Sequence, residues 1–190
     1  MLIYLHGFNS SPGSYKAQLL KRCMEVRGQG GQYSCPALPT LGKNAIAAVE
    51  AEMALHADES ITLVGSSLGG FYASYLAERH AVRAVLINPA VYPHEDLRAY
   101  LGVQSNLHTR QRYELTEEHL RQWEQLYLPS VRAERYLLIV ETGDEVLDYR
   151  QAVRKYAGAR KVVIGGGDHS LASFPEHIPL ILEFAGLAHA

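Results

Sequence analysis

Residues 61–76 read Ile-Thr-Leu-Val-Gly-Ser-Ser-Leu-Gly-Gly-Phe-Tyr-Ala-Ser-Tyr-Leu. Ile61–Val64 is a short apolar run of strand type. Leu68, Phe71, Tyr72, Tyr75 and Leu76 recur three and four residues apart, the period of one helix face. Between the two lies Gly65-Ser66-Ser67-Leu68-Gly69, a Gly-x-Ser-x-Gly pattern. The pattern alone says little in a glycine-rich chain, and its setting gives it meaning. A strand that turns sharply into a helix holds the central serine out on a strained bend. Flanking glycines let neighbouring backbone close in, and the helix N-terminus favours developing negative charge. Ser67 is therefore a candidate nucleophile. The competing reading is a helix N-cap in the Gly-rich turn of a nucleotide-binding fold. Residues 65–70 do not spell Gly-x-Gly-x-x-Gly, however, and no Lys-Ser/Thr pair follows as in a phosphate loop.

Outward from this junction, strand-like and helix-like stretches alternate. Leu2–Leu5 precedes His6-Gly7 and the loop Phe8–Gly13. Ser14–Val26 has helical spacing, and a weak strand falls around Gln32–Pro36. Lys43–His56 is helical by pattern, with Ile46, Val49 and Met53 on one face. Val82–Ile87, Tyr136–Val140 and Lys161–Ile164 are further strands, and Pro175–Phe184 is a closing helix. Such alternation predicts an α/β fold, a parallel sheet of about six strands with helices on both faces. The first strand begins at residue 2, so leading antiparallel strands are not expected. In sheets of this kind, sites form beyond the C-terminal strand ends. His6, Ser67, Asn88, Asp144 and His169 all fall there.

Composition is that of one soluble domain: 190 residues, 47% hydrophobic, 20% charged, net charge −2. No basic run suggests nucleic acid or an anionic membrane as partner. No apolar run approaches the roughly 20 residues that span a bilayer, and no signal peptide is evident at the N-terminus. The expected compartment is the cytoplasm. The two cysteines, Cys23 and Cys35, read as small core residues rather than a disulfide framework. Neither Cys-x-x-Cys nor His-Glu-x-x-His occurs, so no metal site is expected.

A serine needs a base near neutral pH. Of nine histidines, only His6 and His169 directly follow strands. His169 lies in a Gly-rich loop from which an imidazole can reach back over the sheet, and it is the candidate base. His6 is the alternative, with a second role in shaping the loop after the first strand and contacting substrate. The third member is an acid that fixes the imidazole's orientation and tautomer. Asp144 follows a strand and is the candidate. Glu145, Asp148 and Asp168 compete, although Asp148 also suits a helix cap. The oxyanion donors expected are the main-chain N–H groups of Leu68 and Phe8, with Asn9 as alternative to Phe8.

Val91–Arg135 is long for a connection between strands. Glu95–Leu101 and Thr116–Tyr127 are helical by pattern. The segment suggests an inserted helical cap over the site within a single domain, with Tyr100, Tyr113, Trp123 and Tyr127 as candidate substrate contacts. The alternative is a pair of ordinary surface helices whose aromatics dock onto the core.

Leu-His-Gly-Phe at 5–8, Gly-x-Ser-x-Gly at 65–69, Gly-Asp-Glu-Val at 143–146 and Asp-His at 168–169 resemble the α/β-hydrolases in order and spacing. More narrowly, Tyr-Leu-His-Gly-Phe-Asn-Ser-Ser-Pro at 4–12, Gly-Ser-Ser-Leu-Gly-Gly-Phe-Tyr-Ala at 65–73 and Leu-Ile-Asn-Pro-Ala-Val at 86–91 resemble the small bacterial YqiA-type esterases over nearly the whole chain. That resemblance implies a cofactor-free serine esterase acting on acyl esters or acyl-CoA thioesters. Glu141 departs from the wider superfamily, where a glycine often precedes the acid. Peptide hydrolysis, acyl transfer on the same residues, and a non-catalytic binding protein are the competing functions, since fold does not fix function.

Overall fold

The computed structural model describes residues 1–188, so His189, one of the nine histidines, lies outside the described residues. In chain order the elements are β1 (Leu2–Leu5), α1 (Tyr15–Val26), β2 (Tyr33–Ser34), α2 (Gly42–Ala54), β3 (Thr62–Ser66), α3 (Leu68–His80) and β4 (Arg83–Ile87). Then follow α4 (Pro93–Asp96), β5 (Gly102–Ser105), β6 (Arg112–Leu115), α5 (Glu117–Leu126), β7 (Tyr136–Glu141), α6 (Tyr149–Lys155), β8 (Arg160–Ile164) and α7 (Phe174–Phe184).

Six strands form one sheet in the order β2-β1-β3-β4-β7-β8, every pair parallel. Alternate side chains on each strand serve two apolar layers. Ile3, Leu5, Leu63 and Leu86 pack with Val49, Phe71 and Leu76 on one face. Leu2, Tyr4, Val64 and Val85 pack with Leu20, Phe174 and Ile181 on the other. This double coverage is why the strands read as unbroken apolar runs. The chain runs outward from β1 to β2, then returns past β1 to β3. The β1–β3 boundary is therefore a topological switch point, where a crevice opens at the strand ends. The loop after β1 and the turn after β3 meet there.

Residues 91–135 differ from the pattern reading. The expected helix at Glu95–Leu101 is only α4 followed by one 3₁₀ turn at Arg98–Tyr100. Between it and α5 stands an antiparallel ribbon, β5–β6, that the helix-period reading does not contain. Two exposed strands have no sheet to bury them, so they lack apolar runs. Their signal is the alternation of exposed Arg112 and Glu114 with more buried Tyr113 and Leu115. Helix α5 opens on a capping box between Thr116 and His119. Its apolar face carries Leu120, Trp123 and Leu126 inward, against α2 and, through Trp123, against Tyr72 of α3.

Candidate active site

Ser67 sits between β3 and α3 with φ +55° and ψ −123°, a conformation that L-residues rarely adopt. Close packing enforces it. A Cβ at Gly69 would collide with the carbonyl of Leu5, and one at Gly65 with the carbonyl of Gly69. The turn is locked by Ser67 N–H donating to Ile87 O at 3.0 Å and by Ala90 N–H donating to Ser67 O at 3.1 Å.

Three side chains from three strand ends join in one hydrogen-bonded run. Ser67 Oγ lies 3.1 Å from His169 Nε2. His169 Nδ1 lies 3.0 and 2.9 Å from the two carboxylate oxygens of Asp144. Asp144 also accepts from the N–H groups of Val146 at 2.9 Å and Leu147 at 2.8 Å. Burial raises its carboxyl, but the hydrogen bonds from His169, Leu147 and Val146 outweigh burial and hold it below the ordinary value. Its side chain is 1% exposed and that of His169 23%. The competing carboxylates are engaged elsewhere. Asp148 caps α6 through Arg150, Asp168 takes Ser170 Oγ, and Glu145 takes the main-chain N–H of His169.

The loop after β1 presses against this run, for a Cβ at Gly7 would meet Ser67 Cβ at 3.2 Å. Among the described residues, neither Phe8 N–H nor Leu68 N–H has a hydrogen-bond partner. Both residues line the cavities around Ser67. His6 is committed inside the protein. Its Nε2 accepts from Leu38 N–H at 3.1 Å, so its Nδ1–H faces Gly7 O at 3.1 Å. Burial lowers its pKa, which keeps the ring neutral. It is 5% exposed and shapes the loop, although its edge reaches a cavity of about 250 Å³ beside Phe8, Tyr72 and Tyr113.

Two larger cavities meet at Ser67. One of about 570 Å³ runs along the first turn of α1 and Ser170. One of about 320 Å³ runs under α4, past Leu97, Tyr100 and Leu147. Of the four aromatic candidates, Tyr100 borders the second cavity and Tyr113 the smallest. Trp123 and Tyr127 border none of the three. Trp123 is fully buried with Nε1 donating to Tyr72 Oη at 2.7 Å, because it belongs to the inward face of α5. Tyr127 stacks on Tyr92 and lies under Lys155.

Three contributors have no motif. Asn88 donates to the carbonyls of Asp168 and His169. Glu141, buried at the end of β7, accepts from Asp168 N–H and Ser173 Oγ. Lys16 donates to Ser170 O at 2.5 Å. Only the strand-end position of the first two was open to a reader of the sequence.

A parallel sheet in this order, with a serine on a strained turn after β3 and acid and histidine after β7 and β8, defines the α/β-hydrolase fold. Solved structures agree in fold. α/β-Hydrolase domain-containing protein 10 from mouse superposes with a TM-score of 0.75 at 18% identity, covering 97% of this chain and 89% of its own. The monoacylglycerol lipase of Paleococcus ferrophilus gives 0.67 at 17% identity, covering 99% and 94%. Within that fold the chain belongs to UPF0227, described as an uncharacterised protein family, which matches residues 1–186. UPF0227 protein YcfP of Escherichia coli is 30% identical over 98 residues, 51% of this chain and 54% of its own. The match thus spans about half the length of that relative.

Proposed function

We propose that this chain is a serine esterase that hydrolyses carboxylic acyl esters or thioesters through an acyl-enzyme on Ser67. The observation that carries the reading is the continuous hydrogen-bonded run Asp144–His169–Ser67 on a strained strand–helix turn. In the first half-reaction Ser67 Oγ attacks the acyl carbonyl and its proton passes to His169 Nε2. The carbonyl oxygen gains negative charge, which the unpartnered N–H groups of Phe8 and Leu68 are free to receive. The tetrahedral species collapses, the carbon–oxygen or carbon–sulfur bond breaks, and His169 returns the proton to the leaving group. In the second half-reaction water gives its proton to His169 and attacks the acyl carbon, and Ser67 leaves with the proton restored. Asp144 holds Nδ1–H throughout and stabilises the imidazolium.

The solved neighbours support the chemistry by analogy, since one is named a lipase. Residues 91–135 form the cap in this reading, with Tyr100 bordering the acyl-sized cavity. The test is a graded series of acyl esters and acyl-CoA thioesters with Ser67→Ala beside the wild type, and fluorophosphonate labelling mapped to a peptide. Turnover lost in Ser67→Ala together with a label on Ser67 supports the reading. A label on Ser66, or undiminished turnover by Ser67→Ala, overturns it. Product analysis with an added amine or alcohol separates hydrolysis from acyl transfer.

A further inference from the structure

We propose that the cavity between Ser67 and the first turn of α1 is a substrate subsite for an anionic group, carboxylate or phosphate, received by Lys16. This rests on the esterase reading and adds the charge class of the ester.

The two larger cavities that meet at Ser67 differ in the charged side chains that line them. The one along α1 is lined by Lys16 and by no carboxylate. The one under α4 is lined by Asp96 and Glu145 and by no lysine or arginine. An ester with its carbonyl at Ser67 has these two directions for its arms. An anionic arm is attracted along the first and repelled along the second, so the asymmetry sets its orientation.

Lys16 is placed to receive such a group. An ammonium has three donors, and one is spent on the neutral carbonyl of Ser170, next to His169. Among the described residues, no carboxylate lies within ion-pair distance of Lys16. The charged groups that face it at longer range are Asp168, Glu141 and Asp144. Each is already bonded: Asp168 to Ser170 Oγ, Glu141 to Ser173 Oγ and Asp168 N–H, Asp144 to His169. The result is a half-buried cation without a direct counter-ion, facing a cavity that contains the nucleophile. Burial pushes its pKa down to about 8, and an anion in the cavity would reverse that shift. The backbone adds charge of the same sign. Tyr15 and Lys16 form the first turn of α1, which has no acidic residue and no side-chain cap.

The experiment uses two matched substrate pairs. p-Nitrophenyl hydrogen adipate against p-nitrophenyl hexanoate puts the charge on the acyl arm. Hexanoyl-CoA against S-hexanoyl-N-acetylcysteamine puts it on the leaving group. The expected result is that the wild type favours the charged member of at least one pair in kcat/KM. Lys16→Gln should lower that charged-to-neutral ratio about tenfold or more, through KM, while Lys16→Arg retains it. The pair affected tells which arm carries the anion. Because the ratio is taken on one preparation, partial unfolding of a variant cancels. The ratio should also fall as pH rises through about 8, where free Lys16 loses its proton. A ratio unchanged by Lys16→Gln in both pairs overturns the proposal, since a lysine that only straps the His169 loop would slow both members alike. So does a wild type that favours the neutral member of both pairs. Failure of the wild type to turn over any of the four overturns the esterase reading itself, and the two failures are thereby told apart.

Discussion

The side-chain amide of Asn88 reaches past β7 to donate to the main-chain carbonyl of His169 at 3.2 Å. The same nitrogen donates to Asp168 O at 3.1 Å, and its Oδ1 accepts from Glu141 N–H at 3.0 Å. One residue at the end of β4 thus fixes both the end of β7 and the loop after β8. Asn88 is 2% exposed, so no solvent replaces these bonds if they are lost.

Asn88→Ala should therefore destabilise the fold and loosen the histidine together. Several buried polar groups lose their partner at once, and each unsatisfied group costs about 1–3 kcal/mol. We expect a loss of about 2–4 kcal/mol in denaturant unfolding. Ester turnover by the remaining folded protein should fall at least about tenfold, because small misplacement of a catalytic group is costly. Wild-type kcat in a folded Asn88→Ala protein would contradict the positioning role.

Asp144→Asn should lower kcat by about 10²–10⁴-fold with the fold intact, by analogy with triad acids that set the tautomer. The depressed carboxyl also ties stability to pH. Its stabilising contribution is complete above the ordinary value of 3.8 and is lost as pH falls through the lower folded value. Asp144→Asn should flatten that part of the acid unfolding profile. Asp148→Asn is the control, since Asp148 bonds Arg150 rather than His169. If Asp148→Asn abolishes turnover and Asp144→Asn does not, the acid has been misassigned.

The β5–β6 ribbon folds down on the loop that bears Phe8. Tyr113 Oη donates to Asn9 Oδ1 at 2.7 Å, Asn9 Nδ2 to Gln104 Oε1 at 3.1 Å, and Asn106 Nδ2 to Ser10 O at 2.7 Å. Leu107 N–H adds a bond to Asn9 O at 2.9 Å. Asn9 itself has φ +52°. Tyr113→Phe removes one of these bonds and should cost about 0.5–1.5 kcal/mol of stability. Turnover should drop through kcat, with KM for short esters nearly constant, as for a group that aims an oxyanion donor. A change confined to KM would place Tyr113 against substrate instead.

Why some of this is legible in sequence and some is not follows from periodicity. β3 into α3 is plain because a two-sided apolar strand meets a helical stripe at glycines that nothing else fits. The parallel sheet follows from that alternation repeated along the chain, and with it the strand-end position of Ser67, Asn88, Asp144 and His169. Which carboxylate bonds His169 is not plain, since Asp144, Glu145, Asp148 and Asp168 lie within two short loops and only backbone direction separates them. The ribbon is hidden because exposed strands carry Arg112 and Glu114 where a core strand carries leucine. Lys16 is hidden because a lysine in a helix reads as surface until the neighbouring loop folds over it.

Aromatic density in residues 91–135 suggests one selector of acyl chains, whereas the aromatics divide into two kinds. Tyr100 borders the cavity under α4 and meets Phe8 edge-on, with ring centroids 6.1 Å apart. Trp123 is sealed between α2, α3 and α5. The two should respond differently to truncation. Trp123→Ala removes a buried indole and its bond to Tyr72, and should cost about 3–5 kcal/mol. Short and long esters should then be slowed by one common factor, that of the folded fraction. Tyr100 is 48% exposed, so Tyr100→Ala should leave the melting temperature nearly unchanged. It opens apolar wall beside Ser67, where each methylene buried is worth about 0.8 kcal/mol. The ratio of kcat/KM for octanoate over acetate p-nitrophenyl esters should therefore shift by severalfold. The measurement is that ratio for both variants beside their unfolding curves. A ratio moved by Trp123→Ala and left alone by Tyr100→Ala would place the selector in the α5 layer instead of at the cavity wall.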